Sequence, residues 1–493
     1  MTAKQDRSLS RLGGHSLIYA ASSVLGQLGS LLTFPLYTRA LGPSSYGILA
    51  IGLAAAGVLR TLVISGTNTA LMHARIGADE RRARESTGAA VAWVVIVSVA
   101  LGLVWLLFSP LIAAVARLGE NATAFGWGVI AYVFADSLLE LMFSVARAES
   151  RPRVYALANG LRVVVTIAAA VVLLVGLHVG ASGALVAMAI ASLTACTWLV
   201  WQLRVRISLH DVARRLQRLL SDGLPLLPAN LGSWVTDLAD RYLLLFITGS
   251  TVLVGVYSAG YRVGSHVTVL FVGPFHTAYL PFMLEHAEHE SAEHLYAETS
   301  RLFLAFGAVT VLVLQAVAFP LVRVLAGSSY LSSVRIVGVV ALGCLLAGAA
   351  MLMTPEALKE RRTSSLAVAF GAGAVLNVAA NLVLIPTMGM LGAALATLGA
   401  YALVLLVILV LTPRSARPRG IWTEIGRVVP VTAVAVCIAA IDFGGGGRQG
   451  LVSLACAAVG FGLLVAVGAL RVADVTRVAG SLSSALTRRG VQA

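Results

Sequence analysis

Charged side chains are scarce in this sequence. Asp, Glu, Lys and Arg make up 12% of its 493 residues, about half the share found in soluble domains. A chain this long, with a mean hydropathy of +0.90, cannot cover its surface with polar groups. That excludes an ordinary soluble protein and makes the bilayer its solvent. Cysteine is also sparse. Cys196, Cys344, Cys437 and Cys456 each sit inside an apolar run, without CxxC or Cys/His spacing. They read as small buried hydrophobes and point to no disulfide, metal or cofactor. Acidic residues are outnumbered 22 to 36, for a net charge of +14. No aromatic-basic motif accompanies that excess, so nucleic acid is not an expected partner. No small-residue cleavage motif follows the first apolar run, which therefore reads as a span and not as a cleaved signal.

What is there in abundance is apolar sequence of membrane-spanning length, about 20 residues per helix. Windows fall near 15–38, 44–71, 87–108, 122–143, 154–178, 180–203, 223–248, 252–283, 298–320, 332–353, 365–386, 389–412, 427–443 and 449–470. The expected fold is an all-α polytopic membrane protein of about 14 transmembrane helices. With the N-terminus in the cytoplasm, about 27 of the 36 Lys and Arg residues fall on the cytoplasmic side, as the positive-inside rule demands. The C-terminus is then cytoplasmic too, and every outer connection is short. One inner loop, 285–298 (EHAEHESAEHLYAE), is acidic and rich in His. Its His286 and His289 suit either a metal or a solvated face titrating near neutral pH.

An internal repeat organises the chain. RALGPSSYGILAIG (39–52) resembles FITGSTVLVGVYSAG (246–260), pairing Gly47 with Gly255. GASGALVAMA (180–189) resembles GMLGAALATL (389–398), and RAESRPRVYAL (147–157) aligns with EALKERRTSSL (356–366) at nearly the same offset. The period covers about six helices, so the two halves share orientation, the parallel-repeat plan of many secondary transporters. The expected organisation is a cytoplasmic segment 1–14, a six-helix bundle 15–203, a linker 204–222, a second bundle 223–412, and a linker 413–426. Two additional helices (427–470) and a cytoplasmic tail (471–493) complete it.

FPLYTRALGPSSYGILAI (34–51), GLPLLPANLG (223–232) and DRYLLLFITGSTVLVGVYSAGYRVG (240–264) closely resemble signatures of one family. It is the oligosaccharide (polysaccharide) flippases of the multidrug/oligosaccharidyl-lipid/polysaccharide exporter superfamily. The resemblance implies two six-helix bundles plus two C-terminal helices, in the bacterial inner membrane. It implies alternating-access transfer of undecaprenyl-diphosphate-linked oligosaccharide from the cytoplasmic to the periplasmic leaflet, often coupled to an ion gradient. Expected partners are that lipid-linked sugar, the bilayer and the polysaccharide polymerase machinery. In the related lipid II flippases, cationic cavity residues meet the pyrophosphate and the extra helices meet the lipid tail. A cation-coupled drug exporter of the same superfamily is the alternative. An enzyme would need catalytic groups on a sizeable outer loop, and the first outer loop, RALGPSSYG, carries no acidic D-x-D-like motif.

Charges inside spans are expensive and hence functional candidates. Arg60 and Arg262 lie in equivalent helices of the two halves, and a guanidinium fork suits an anionic diphosphate. His266 follows Arg262 by one turn. Arg39, in the family's first-loop signature, is a candidate for the outer exit. Asp237, Asp240 and Arg241 cluster in one span. Asp237 and Arg241, four apart, can pair on one face, or Arg241 can serve as a third diphosphate ligand and the acids as an ion site. Asp136 and Glu140 are also four apart. Two adjacent carboxylates should not both ionise, which suits proton coupling, unless Arg162 neutralises one. Asn377 and Asn381 share a face and read as interhelical glue.

Overall fold

The computed structural model describes residues 3–116, 122–224, 227–286, 292–353, 363–413, 417–444 and 446–471. Helix is the only regular structure among them. The first helix, α1 (Ala3–Ile64), is interrupted at Gly42, whose φ of 68° and ψ of 172° are non-helical. The cause is local. Pro43 offers no N–H to the helical ladder and pushes its predecessor out of the helical region, and glycine reaches positive φ without a steric penalty. α1 thus holds the first apolar window and most of the second. A second break at Ser65 and Gly66, again at positive φ, separates it from α2 (Thr67–Arg75).

There follow α3 (Glu80–Ala116), α4 (Ala122–Ala148), α5 (Pro152–Ala170), α6 (Ala181–Gln202), α7 (Val212–Gly223), α8 (Leu227–Thr248) and α9 (Thr251–Gly264). Then come α10 (Gly273–His286), α11 (Ala292–Ala316), α12 (Ala318–Leu325), α13 (Val334–Met351), α14 (Thr363–Met388), α15 (Met390–Leu411), α16 (Ile421–Ala439) and α17 (Gly446–Ala466). Among the described residues, 11 helices are long and apolar enough to cross a membrane. The difference from the expected number has three causes. α1 spans two windows, α8 carries Asp237, Asp240 and Arg241, and window 252–283 is divided between α9, a π-helical turn at Thr268–Val272 and α10.

The described residues form two compact units. The first comprises Met1–Ala259, Val324–Ser329 and Val378–Met390. Its centre is α4, packed against α1, α2, α3 and α6. Gly128 of α4 faces Leu185 of α6, and Ala135, Ala184, Ala187 and Ala191 in these two helices are all buried. Small residues let helix backbones approach closely, which is how association is gained where lipid is as apolar as the interface. α3 and α5 do the reverse. Only 22% and 17% of their apolar windows are buried, and Leu103, Leu106, Leu107 and Phe108 stand exposed. Apolar faces of that extent belong against hydrocarbon and not water. The chain is a multi-pass membrane protein.

Two segments of this unit meet at unusually short range. A methyl group on Gly47 in α1 would sit 1.9 Å from the carbonyl oxygen of Thr251 in α9, and one on Gly255 would sit 1.9 Å from the carbonyl oxygen of Pro43. Between them, the hydroxyls of Ser44 and Thr251 lie 2.8 Å apart.

The second unit comprises Gly260–Arg323, Tyr330–Asn377 and Leu391–Ala493. α11 packs against α13, α16 and α17, and α16 against α17. Gln315 in α11 donates to Ser453 in α17 at 2.8 Å. Asn377 in α14 donates to Thr397 in α15 at 3.3 Å, the interhelical role expected for it. The end of α9 lies on α13 through Gly260 and Gly264, where a Cβ would come within 2.8 Å of the Ser333 carbonyl oxygen and 2.7 Å of the Val337 one. Gly264→Val is therefore expected to destabilise this unit by about 1–3 kcal/mol, the usual range for overpacking. A lower melting temperature in detergent, with Gly264→Ala intermediate, would be the observation. An unchanged melt would show that the two helices separate without penalty.

Candidate functional site

The first unit gathers its intramembrane charges on four helices. Asp136 lies in the middle of α4 and is 5% exposed. Its Oδ2 accepts from Arg60 Nη1 of α1 at 3.2 Å, and its Oδ1 lies 2.8 Å from Arg162 Nη2 of α5. Ser192 of α6 donates to Oδ1 at 3.3 Å. Arg162 also hydrogen-bonds with Tyr132, one turn before Asp136. One carboxylate is thus shared by two guanidiniums. A single buried carboxylate in hydrocarbon needs such compensation, but two arginines exceed it by one positive charge. Both guanidinium side chains remain about one-third exposed, 32% for Arg60 and 30% for Arg162.

Glu140 lies one turn further along α4 and has its own cation. Its Oε1 accepts from Arg147 at 2.9 Å and from Asn68 of α2 at 3.4 Å. Arg147 also donates to Ser144 and lies over the Tyr155 ring. Asp136 and Glu140 therefore each have a guanidinium partner. The neutralisation by Arg162 is what the geometry shows for Asp136, and Arg147 does the same for Glu140. A polar cavity of about 240 Å³ opens beside both groups, lined by Arg60, Thr61, Asn68, Glu140 and Trp234 among others. The break at Ser65 and Gly66 shapes it. Gly66 takes positive φ, and its Cα side lies against Gly223, with room for no methyl group. That turn carries Asn68 to the cavity wall.

A second charged group lies at α8 and α9. Asp240 is fully buried. It accepts from Arg241 Nη1 at 3.2 Å and from the Tyr257 hydroxyl. Arg241 lies over the Tyr257 ring, 6.0 Å from its centroid. Arg241 pairs with its chain neighbour Asp240. The side chain of Asp237, the partner expected from spacing, lies outside the described residues. The triad is compact and buried, which suits holding α8 to α9. Adjacent Tyr242 donates to the Ile51 carbonyl of α1 at 3.0 Å.

Arg262 and His266 lie in the second unit and are half-buried. His266 Nδ1 donates to the Arg262 carbonyl oxygen at 2.5 Å, and Ser265 donates to the same oxygen at 3.0 Å. These side chains take up a carbonyl where α9 ends before the π-helical turn. Arg39 is exposed, and its Nη2 donates to the Val324 carbonyl oxygen at 2.5 Å, next to the bond from Thr38 to Leu325. It ties α1 to the Val324–Ser329 segment. Of the His-rich loop, residues 287–291 lie outside the described residues, and no group of metal-ligating side chains occurs among the described ones.

Sequence reasoning named Arg162 only as a neutraliser and missed Arg147, Asn68, Ser192 and Tyr257. Arg147 and Arg162 carried a signal, since each is a cation near a carboxylate in the same pair of helices. Ser192, Asn68 and Tyr257 carried none, because hydroxyls and amides are common between membrane helices.

The sequence pattern of the family described as "Polysaccharide biosynthesis protein" matches residues 13–287. No curated protein matches the chain in sequence. Among solved structures, a lipid II flippase MurJ in an inward closed conformation superposes with a TM-score of 0.69 at 13% identity, covering 90% of this chain and 98% of that one. An inward-facing multidrug resistance transporter of the MATE family gives a TM-score of 0.61 at 13% identity, covering 84% and 98%. A transporter of the same superfamily from Pyrococcus furiosus gives 0.54 at 16%, covering 84% and 95%. At these identities the likeness is one of fold.

Proposed function

We propose that this chain, which belongs to the polysaccharide biosynthesis protein family and has the fold of the superfamily's flippases and transporters, translocates a polyprenyl-diphosphate-linked oligosaccharide. Transfer runs from the cytoplasmic to the periplasmic leaflet of the bacterial inner membrane, by alternating access and without covalent chemistry. Both termini lie in the cytoplasm, and two six-helix repeats supply the two sides of the switch. The observation that carries this reading is the surplus guanidinium at Asp136, beside a polar cavity within the membrane-spanning unit. A diphosphate is a bidentate acceptor of the kind that an arginine fork holds. A cavity for lipophilic cations would present surplus carboxylate instead, and here each of the two carboxylates already has a cation.

The test is to delete the gene and quantify polyprenyl-diphosphate-linked oligosaccharide in each leaflet. Completed units should accumulate on the cytoplasmic leaflet, with loss of a surface polysaccharide. An unchanged pool with heightened sensitivity to cationic drugs would replace this reading with the exporter one. Arg262→Ala, in the second unit, is expected to abolish translocation while leaving the protein in the membrane. Wild-type polymer levels in that variant would remove Arg262 from the substrate path.

A further inference from the structure

The stretch between α6 and α8, expected to be a linker, is built into the first unit. Arg204 and Asp211 take positive φ, 49° and 57°, which marks a turn at each end of its first part. Between those turns the Ser208 N–H donates to the Arg84 carbonyl oxygen of α3 at 3.1 Å. The Ser208 carbonyl oxygen lies so near α3 that a Cβ on Gly88 would sit 2.1 Å from it. α7 then packs on α2 and α3, with Leu219 buried. Its Arg215 donates through Nε and Nη2 to Glu85 Oε2, at 3.2 and 2.8 Å. Glu85 is 3% exposed, so this pair is a firm attachment. α3 and α6 are both of membrane-spanning length. Arg84, Glu85 and Gly88 belong to the first turns of α3, and the stretch leaves from the last turn of α6. The segment is therefore pinned at one membrane boundary.

Two kinds of side chain project from it. Trp201, Ile207, Leu209 and Leu224 are 71%, 54%, 67% and 44% exposed. Pinned main chain holds these large apolar groups outward, where burial in lipid and not water suits them. Arg204, Arg206, Arg214 and Arg218 are exposed as well. Among the described residues no carboxylate pairs with Arg204, Arg206 or Arg218, and Arg214 reaches Asp211 only at 3.8 Å. None of these side chains lines the cavity at Arg60. We infer that residues 201–224 form a docking surface for anionic phospholipid headgroups at the boundary where α6 ends. The arginines meet the phosphates. Trp201, Ile207, Leu209 and Leu224 enter the zone between headgroups and acyl chains, as the apolar groups of interfacial segments do. A soluble anion would satisfy the arginines and leave the apolar groups in water. An acidic protein would not account for Trp201 at the end of a span, the depth that tryptophan prefers in a bilayer. Lipid bound here clasps α3, α6 and α7 together.

The experiment uses the purified full chain in nanodiscs of phosphatidylcholine and phosphatidylglycerol. Native mass spectrometry of the extracted chain counts the lipids retained. The parent should keep phosphatidylglycerol in preference to phosphatidylcholine. Arg204→Gln, Arg206→Gln, Arg214→Gln and Arg218→Gln combined should lower that preference at least tenfold, since one basic residue near an anionic surface is worth about fivefold. All four side chains are exposed, so folding is not at stake. Arg151→Gln with Arg153→Gln, exposed at the same end of the helices but off this surface, should leave most of the preference. Phosphatidylglycerol with brominated acyl chains should quench tryptophan fluorescence less in Trp201→Phe than in the parent. An unchanged preference in the fourfold variant would overturn the surface. So would an equal loss per charge in the Arg151 and Arg153 variant, which would reduce it to general basicity. Quenching that is the same with and without Trp201 would mean that the segment stands off the membrane. Displacement of phosphatidylglycerol by inorganic phosphate would replace the lipid with a soluble anion.

Discussion

Arg60→Ala combined with Arg162→Ala is expected to destabilise the first unit by about 3–5 kcal/mol, the penalty for stranding a buried charge whose partners are removed. Asp136 is nearly inaccessible and holds both guanidiniums and one serine hydroxyl. Without the cations it must protonate or drag water into α4. The single variants should behave differently. In Arg60→Ala, Arg162 still compensates Asp136 at 2.8 Å, so folding survives, yet the surplus positive charge disappears and transport falls at least tenfold by the diphosphate reading. Adding Asp136→Asn to the double variant should recover the melting temperature and not the transport. The pair of readouts, a detergent melt and surface polymer, separates the two roles. A triple variant that regained both would make the whole cluster structural. A double variant as stable as the parent would mean that Asp136 is not buried in charged form.

The second large effect concerns the approach of α1 and α9. Gly47→Val and Gly255→Val each force a side chain into a backbone carbonyl that already stands 1.9 Å from an ideal Cβ. No rotamer relieves that contact, because the obstructing atom is main chain. The segments must part by more than an ångström, at about 3 kcal/mol or above, and the bond between Ser44 and Thr251 must break. Crosslinking reads this directly. In a chain freed of its four native cysteines, Ser44→Cys with Thr251→Cys should oxidise readily, since the hydroxyls they replace are 2.8 Å apart. Either glycine variant should abolish the crosslink. If the crosslinked chain is also inactive until reduced, separation of these segments belongs to the transport cycle. Full activity while crosslinked would make the seam a permanent joint.

The residues show why parts of this protein were legible in sequence and parts were not. Bilayer-length apolar runs constrain the spans tightly, and each of the 11 membrane-length helices lies where a window predicts one, whereas α7 (Val212–Gly223) forms in the stretch expected to be a linker. The breaks are less visible. Gly42–Pro43 announces itself, because proline cannot continue a helix. The π-helical turn at Thr268–Val272 has no such residue and emerges only from packing. Intramembrane charge marked Arg60 and Asp136, since such residues are too costly to be incidental. Pairing was harder. Helical spacing offers Asp237 to Arg241, but it gives no sign of the Tyr257 hydroxyl, which arrives from α9 to join Arg241 and Asp240 in one group. Contacts between helices distant in sequence obey no spacing rule.

The meeting of α1 and α9 has one more consequence. Pro43 faces Gly255 as Thr251 faces Gly47, and residues 43 and 47 stand to 251 and 255 at the same offset that relates the repeated segments. Residue and counterpart have exchanged places across the contact, the signature of an isologous, twofold interface. Such a surface is complementary to itself. A half-length chain bearing RALGPSSYGILAIG would already carry both sides of this joint, and two copies would close upon each other there. Joining two such copies in one chain preserves the joint and releases each side to diverge, as Arg60 and the Asp136 cluster have done on theirs.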